Sequence, residues 1–142
     1  MIVFSLLIQI IMNRKINFLN IPILAISMHE TLQKVENAII TKKQIHHTVV
    51  NASKIVLMQK DAELEKSVIE ADIINADGQG VVWAANFLGL NLPERVSGID
   101  LMQRLVEMSY SKGYKCYFLG ARENIVQKLS LIHISEPTRP SS

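Results

Sequence analysis

The stretch Ala71–Ala85, ADIINADGQGVVWAA, changes its hydrophobic pattern halfway. Asp72, Ile73 and Ile74 open a short apolar run of strand type, and Asp77-Gly78 marks a turn. Gln79–Leu88 then reads as an apolar helix closed by Gly89, a residue suited to the position just past a helix end. A strand, a tight turn and a helix in this order place a carboxylate, Asp77, at the carboxyl end of a strand. In open α/β sheets, ligands bind in the crevice outside those ends. That rule singles out Asn51, Asp77 and the residues after Gly120.

The same alternation extends in both directions. Upstream, Ile16–Ile26 is apolar with Pro22 at its centre and predicts two short strands or a β-ribbon, with Pro22 at a break or edge. Ser27 and Glu30 form an S-x-x-E capping box, and Leu32, Val35, Ile39 and Ile40 follow at helical spacing through about Lys42. Thr48–Val50 predicts a buried strand ended by Asn51, Ala52–Gln59 a helix, and Asp61–Ala71 another with Leu64, Val68 and Ala71 on one face. Downstream, Leu90–Ser97 is a loop with Pro93, and Asp100–Lys112 an amphipathic helix with Leu101, Leu105 and Met108 in one stripe, stopped by Gly113. Tyr114–Leu119 predicts a last strand, with Gly120 and a helix from about Arg122 after it. Strands separated by helices imply an α/β fold: a Rossmann-like parallel sheet with right-handed crossovers and helices on both faces, incomplete at the C-terminus.

Composition narrows the function classes. With 142 residues, 49% hydrophobic and 20% charged, the chain is long enough for one packed domain and too apolar for wholesale disorder. A net charge of +2, from 15 basic and 13 acidic residues, is no nucleic-acid footprint. A single cysteine, Cys116, excludes an internal disulfide and a multi-cysteine zinc site, and suits a reducing compartment.

The two ends differ from the middle. Ile2–Met12, IVFSLLIQIIM, is shorter than the ~20 residues that cross a bilayer and has its positive residues, Arg14 and Lys15, after it rather than before. It reads as a membrane-surface anchor, a first strand or an upstream extension of the reading frame; residues 1–15 are taken as an apolar extension, with Met12 as an ordinary start. Leu129–Arg139, LSLIHISEPTR, is identical to the translation of a common transposase-type sequencing adapter. Residues 129–142 are therefore expected to be foreign and disordered, and residues 16–128 to carry the domain.

Two constellations carry chemistry. Asp77 could take a proton from a hydroxyl, and the helix after it could hold an anion such as a diphosphate on its first N–H groups; the same Asp-Gly pair is equally a turn or cap. Gly78-Gln79-Gly80 continues with Val81-Val82-Trp83, which is not the dinucleotide fingerprint. In Pro93–Asp100, PERVSGID, Arg95 presents a fork of donors suited to phosphate, Gly98 allows close backbone approach and Asp100 can cap the next helix; a surface loop with an Arg–Glu pair is the alternative. His46 and His47, adjacent on a strand, point to opposite faces, one to solvent and one near the core, and form no metal pair. Trp83 and Phe87, at i and i+4, are expected in the core rather than as a sugar-stacking platform, and Cys116 is expected to be buried.

VVNASKIV (Val49–Val56), ADIINADGQGVVWAA (Ala71–Ala85), LPERVSGIDLM (Leu92–Met102) and YFLGA (Tyr117–Ala121) together resemble one family, in order and spacing. It is the bacterial WecG/TagA/CpsF glycosyltransferase family, and the resemblance covers about Ile16–Lys128. The resemblance implies inverting transfer of N-acetylmannosamine or a related sugar from a UDP donor to a polyprenyl-diphosphate-linked N-acetylglucosamine, for teichoic acids, common antigen or capsules. It implies Asp77 as general base, Arg95 near the diphosphate, and Asn51, Thr48, Gly78, Gln79, Gly98 and Asp100 as substrate-binding residues. The family's T-x-N pattern has Val49, not Thr, two positions before Asn51; Thr48 lies one residue earlier, and one step along a strand reverses the side-chain face. No metal or other cofactor and no nucleic-acid partner is implied. The place of action is the cytoplasmic side of the plasma membrane, with the enzyme bound peripherally. The family's later G-x-P-x-Q-E block and basic membrane-docking appendage would fall beyond Lys128, so this chain alone is expected to be inactive and poorly folded. A non-catalytic Rossmann-like nucleotide-binding module is the competing function, and a membrane-surface interaction protein using Ile2–Met12 is a third.

Overall fold

A computed structural model describes residues 2–12, 14–120, 122, 124, 127 and 128. The elements run α1 (Ile2–Met12), β1 (Lys15–Phe18), β2 (Ile21–Leu24), α2 (Met28–Ile40), β3 (His47–Val50), α3 (Ala52–Met58), α4 (Ala62–Ile69), β4 (Ile73–Ala76), α5 (Gln79–Phe87) and α6 (Gly98–Lys112). Contacts divide the chain into two compact units, residues 1–107 and 108–142.

Parallel pairing of β3 with β4 organises the first unit, in the register His47↔Ile73 to Val50↔Ala76. Helices α3 and α4 make the crossover between them, as the strand–helix–helix–strand order requires. The expected ribbon is β1–β2, an antiparallel pair running from Lys15↔Leu24 to Phe18↔Ile21, and β2 lies against β4. Pro22 sits inside β2 opposite Asn17 instead of breaking the strand.

Alternation along the strands sorts side chains to two faces. Ile23 and Ile74 join Val50, Ile55, Met58, Val68, Val81, Val82 and Ala85 in one apolar cluster, the face covered by α3, α4 and α5. Their neighbours Leu24 and Ile73 pack with Ile26, Val35 and Ile45 on the face of α2. The fold is thus Rossmann-like α/β with helices on both faces.

Caps delimit the helices where the sequence signals them. Ser27 Oγ accepts from Glu30 N at 3.2 Å, and Glu30 Oε2 accepts from Ser27 N at 2.7 Å. Asp61 Oδ1 caps α4 through Glu63 N and Leu64 N. Gly89, at φ +74°, ends α5 with Leu90 N donating to Ala85 O. At the end of α2, Lys42 takes the left-handed position (φ +54°), with Lys43 N donating to Ala38 O.

Several expectations are corrected. Ile2–Met12 is a helix, not a strand; a continuous apolar run carries no period-two signal, and its Ile2, Val3 and Phe4 are exposed. Among the described residues no helix is long and apolar enough to cross a membrane. Trp83 and Phe87 are 69% and 90% exposed, because α5 packs its small face, Val81, Val82 and Ala85, against the sheet. Equal helical spacing shows that two residues share a stripe, not which stripe faces inward. For the same reason Thr31 and Ala38, rather than Ile39 and Ile40, form the buried side of α2.

In the second unit, Gly113 (φ +74°) ends α6 and Tyr114 N donates to Ser109 O. Residues 114–120 form no strand, and Tyr117, Leu119 and Cys116 are exposed. A strand exists only as part of a ladder, and the apolar pattern of YKCYFL cannot supply a partner. The helix expected from Arg122 falls largely, and the 129–142 tail wholly, outside the described residues.

The hairpin turn offers a stability test. Leu19 and Asn20 both have positive φ, 50° and 65°, the geometry of a type I′ turn that leucine disfavours. Leu19 is exposed, so its replacement leaves the core intact. Leu19→Asn is expected to stabilise the fold by about 0.5–1 kcal/mol, read as a higher urea midpoint at unchanged slope; Leu19→Val lowers it.

Candidate active site

The carboxyl ends of β3 and β4 form a rim. Asp77 N donates to Val50 O at 2.8 Å, carrying the ladder one residue past Ala76. From this rim two helices start. Asn51 is the N-cap of α3, its Oδ1 accepting from Lys54 N at 2.9 Å. Gly78 is the N-cap of α5 and, lacking a side chain, leaves the first-turn amides of that helix without a side-chain acceptor. Gln79 is exposed in that first turn.

The PERVSG loop is fastened at three points. Glu94 Oε1 accepts from Met28 N, at the start of α2, at 2.6 Å. Val96 N donates to Ala76 O at 2.9 Å, so the loop runs beside the end of β4. Asp77 Oδ1 lies 3.5 Å from Arg95 Nε, and Asp77 Oδ2 accepts from Gly98 N at 3.2 Å. Asp77 is therefore not merely a turn residue. Its carboxylate bridges a guanidinium and the first amide of α6 while its side chain stays 22% exposed. The Arg–Glu surface pair does not form: Glu94 serves α2 and Arg95 serves Asp77.

Gly98 answers to a steric demand. A Cβ there would lie 3.3 Å from Val49 Cγ2 and 3.6 Å from Asp77 Oδ2. Val49 thus occupies the Asp77–Gly98 side of β3. Thr48 points to the other face, its Oγ1 accepting from Lys54 Nζ at 2.8 Å, so the structure does not bring it to Asp77. Asp100 lies within the first turn of α6 rather than capping it; Ser97 Oγ accepts from Asp100 N at 3.5 Å and takes the cap role. Asp100, Arg95, Gln103, Arg104 and Glu107 line an open groove of about 580 Å3 next to the rim. Among the described residues no group of three His, Cys, Asp or Glu side chains could hold a metal ion.

Beneath the rim runs a polar chain that sequence reasoning missed. His47 Nε2 is 2.9 Å from Asn75 Oδ1, Asn75 Nδ2 donates to Thr31 Oγ1 at 3.2 Å, and Thr31 Oγ1 donates to Ser27 O at 2.8 Å. Since Asn75 Oδ1 can only accept, His47 holds its proton on Nε2. Asn75 and Thr31 are fully buried, and the chain joins β3 and β4 to the start of α2. The available signal was an asparagine in an otherwise apolar strand. His46 is exposed, as expected of one member of the adjacent pair. Burial pushes the His47 pKa below its ordinary value; the Asn75 hydrogen bond opposes the shift, and His46 and Lys54 add to it.

Fold and rim together define a Rossmann-like α/β domain with its polar groups gathered at the carboxyl ends of the parallel strands. The chain belongs to the Glycosyl transferase WecG/TagA/CpsF family, whose model matches residues 16–132. It is similar to the N-acetylglucosaminyldiphosphoundecaprenol N-acetyl-beta-D-mannosaminyltransferases of Staphylococcus aureus strains NCTC 8325 / PS 47, COL and N315. Each is 36% identical over 58 residues, which cover 41% of this chain and 23% of the relative. The matched chain thus spans about a quarter of the length of these curated relatives.

The depressed His47 pKa sets a pH dependence. The unfolded chain binds a proton near pH 6.5 that the folded chain resists, so stability is full above that value and falls as pH drops toward the folded pKa. Urea midpoints measured from pH 7.5 to 5 are expected to decline, and His47→Gln, which cannot titrate, to flatten that part of the decline.

Proposed function

We propose that this chain is the amino-terminal part of an inverting glycosyltransferase. It would move N-acetylmannosamine or a related sugar from a UDP donor to a polyprenyl-diphosphate-linked N-acetylglucosamine. The observation that carries the proposal is the Asp77 carboxylate, half-open at the strand ends and bonded to Arg95 and Gly98 N. Family membership and the names of the S. aureus relatives support the same chemistry.

In this mechanism the acceptor hydroxyl oxygen attacks the anomeric carbon while Asp77 takes the hydroxyl proton. The bond from that carbon to the diphosphate oxygen breaks, and UDP leaves with the electron pair. Arg95, already beside the reacting carboxylate, and the first-turn amides of α5 meet the charge that develops on the leaving group. Gly98 N–H holds Asp77 Oδ2 in place, and Oδ1, beside Arg95 Nε, takes the proton. Asn51, Gln79 and Asp100 border the same rim as substrate contacts, and Thr48 acts through Lys54. The acceptor's lipid places the work at the inner face of the plasma membrane, with the protein bound peripherally.

The test uses a chain extended to the length of the relatives. Asp77→Asn is expected to lower transfer to N-acetylglucosaminyl-diphosphoundecaprenol by about two orders of magnitude or more while UDP-sugar binding stays within about twofold of the parent, the amide keeping its shape. Arg95→Ala should weaken donor binding and turnover together. Transfer that survives Asp77→Asn removes the base assignment and favours a nucleotide-binding module.

A further inference from the structure

The described residues hold a second cavity, at the opposite end of the parallel strands from Asp77. It measures about 390 Å3 and is lined by Lys15 at the start of β1, Lys34 and Asn37 on α2, Lys43 just beyond α2, and Asp72 just before β4. Asp72 and Asp77 lie five residues apart across β4, about 16 Å at the rise of a strand. The cavity is therefore separate from the rim.

Its charge is unbalanced. Three lysines face one aspartate, a net +2, which equals the formal net charge of the whole chain. In contrast, the groove beside the rim carries Arg95 and Arg104 against Glu94, Asp100 and Glu107, a net −1. Two acidic groups near the lysines also accept from backbone amides. Asp72 Oδ2 accepts from His46 N at 2.8 Å, and Glu30 Oε2, near Lys34, accepts from Ser27 N. Nor does the end of α2 require the ammonium groups as caps. Its carbonyls at Asn37, Ala38 and Ile39 already accept from Thr41 N, Lys43 N and Lys42 N. Burial pushes the Lys34 pKa below its ordinary value, and the charges of Lys15 and Lys43 lower it further, with Glu30 opposing. A doubly charged oxyanion would relieve both effects.

We propose that the cavity between Lys15, Lys34 and Lys43 is a binding site for a phosphate group, distinct from the glycosyl-transfer site. Lys15, Lys34 and Lys43 line one concave space, with Asn37 beside them, and ammonium groups are strong donors to phosphate oxygens. The same chemistry fits a soluble phosphate compound or the headgroup of a phospholipid, and the experiment separates the two.

The full chain is titrated with inorganic phosphate at constant ionic strength, with chloride as control, and followed by amide NMR. Saturable shifts centred on Lys34, Lys43 and Asp72 are expected with phosphate and not with chloride. In the double variant Lys15→Gln/Lys43→Gln, whose positions are both exposed, affinity should fall by about tenfold or more. Lys43→Gln alone gives a smaller loss and serves if the double variant does not fold. In the second arm the chain is sedimented with vesicles of phosphatidylcholine, alone or mixed with phosphatidylglycerol. Variant-sensitive pelleting with the mixed vesicles only assigns the site to a headgroup; phosphate shifts without pelleting assign it to a soluble ligand. Shifts that merely track ionic strength, shifts unchanged in the variants, or neither shifts nor pelleting overturn the site. None of these outcomes depends on sugar transfer, so this inference and the transferase proposal fail separately.

Discussion

Everything in the first unit follows from one four-residue parallel ladder, His47–Val50 against Ile73–Ala76. Its register does two things at once. It ends β3 and β4 at the same level, so Asn51, Asp77 and Gly78 emerge side by side. It also sends alternate residues to opposite faces, Ile74 and Ala76 to the main core and Ile73 and Asn75 toward α2. A slip of one residue would exchange those faces, turning Val50 away from the main core and Asn75 from its partners. Four ladder residues are few, and the polar chain His47–Asn75–Thr31–Ser27 adds direction that apolar packing lacks. An unpaired buried amide costs about 1–3 kcal/mol, so only one register satisfies Asn75.

The loop at the rim is held from three sides. Glu94 binds the start of α2, Val96 extends the end of β4, and Arg95 with Gly98 holds Asp77. The Arg95–Asp77 pair is too exposed to contribute much stability on its own. Its significance is positional: it sets a carboxylate and a guanidinium beside one another at a place open to solvent. Two helices begin at the same rim, and the first turn of α5 has no side-chain cap. This is how a site arises from strand ends: the backbone groups are already ordered, and only a few side chains need placing.

Much of this was legible in the chain. The capping box at Ser27, the stop at Gly89 and the ribbon before Ser27 all act through neighbours close in sequence, and all form as read. The reversal between Thr48 and Val49 was legible too, because the strand period is a local geometric fact. The failures are failures of tertiary context. Trp83 and Phe87 were assigned inward from hydrophobicity, and Cys116 from a strand that does not form, yet each is exposed. Which stripe of a helix faces the sheet is settled by packing, and α5 turns Val81, Val82 and Ala85 inward while α2 buries Thr31 and Ala38.

The sequence by itself determined where elements start and stop, which carboxylate stands at a strand end, and the family to which the chain belongs. Those properties depend on short-range sterics, capping hydrogen bonds and ordered motifs. Only the tertiary structure decided that Arg95 pairs with Asp77 and not with Glu94, that Asn75 ties His47 to Thr31, and that Lys15, Lys34 and Lys43 share one cavity. Those partners lie between 9 and 44 residues apart in the chain. Nothing in local geometry selects them; the packing of α2 and the PERVSG loop around a single ladder does.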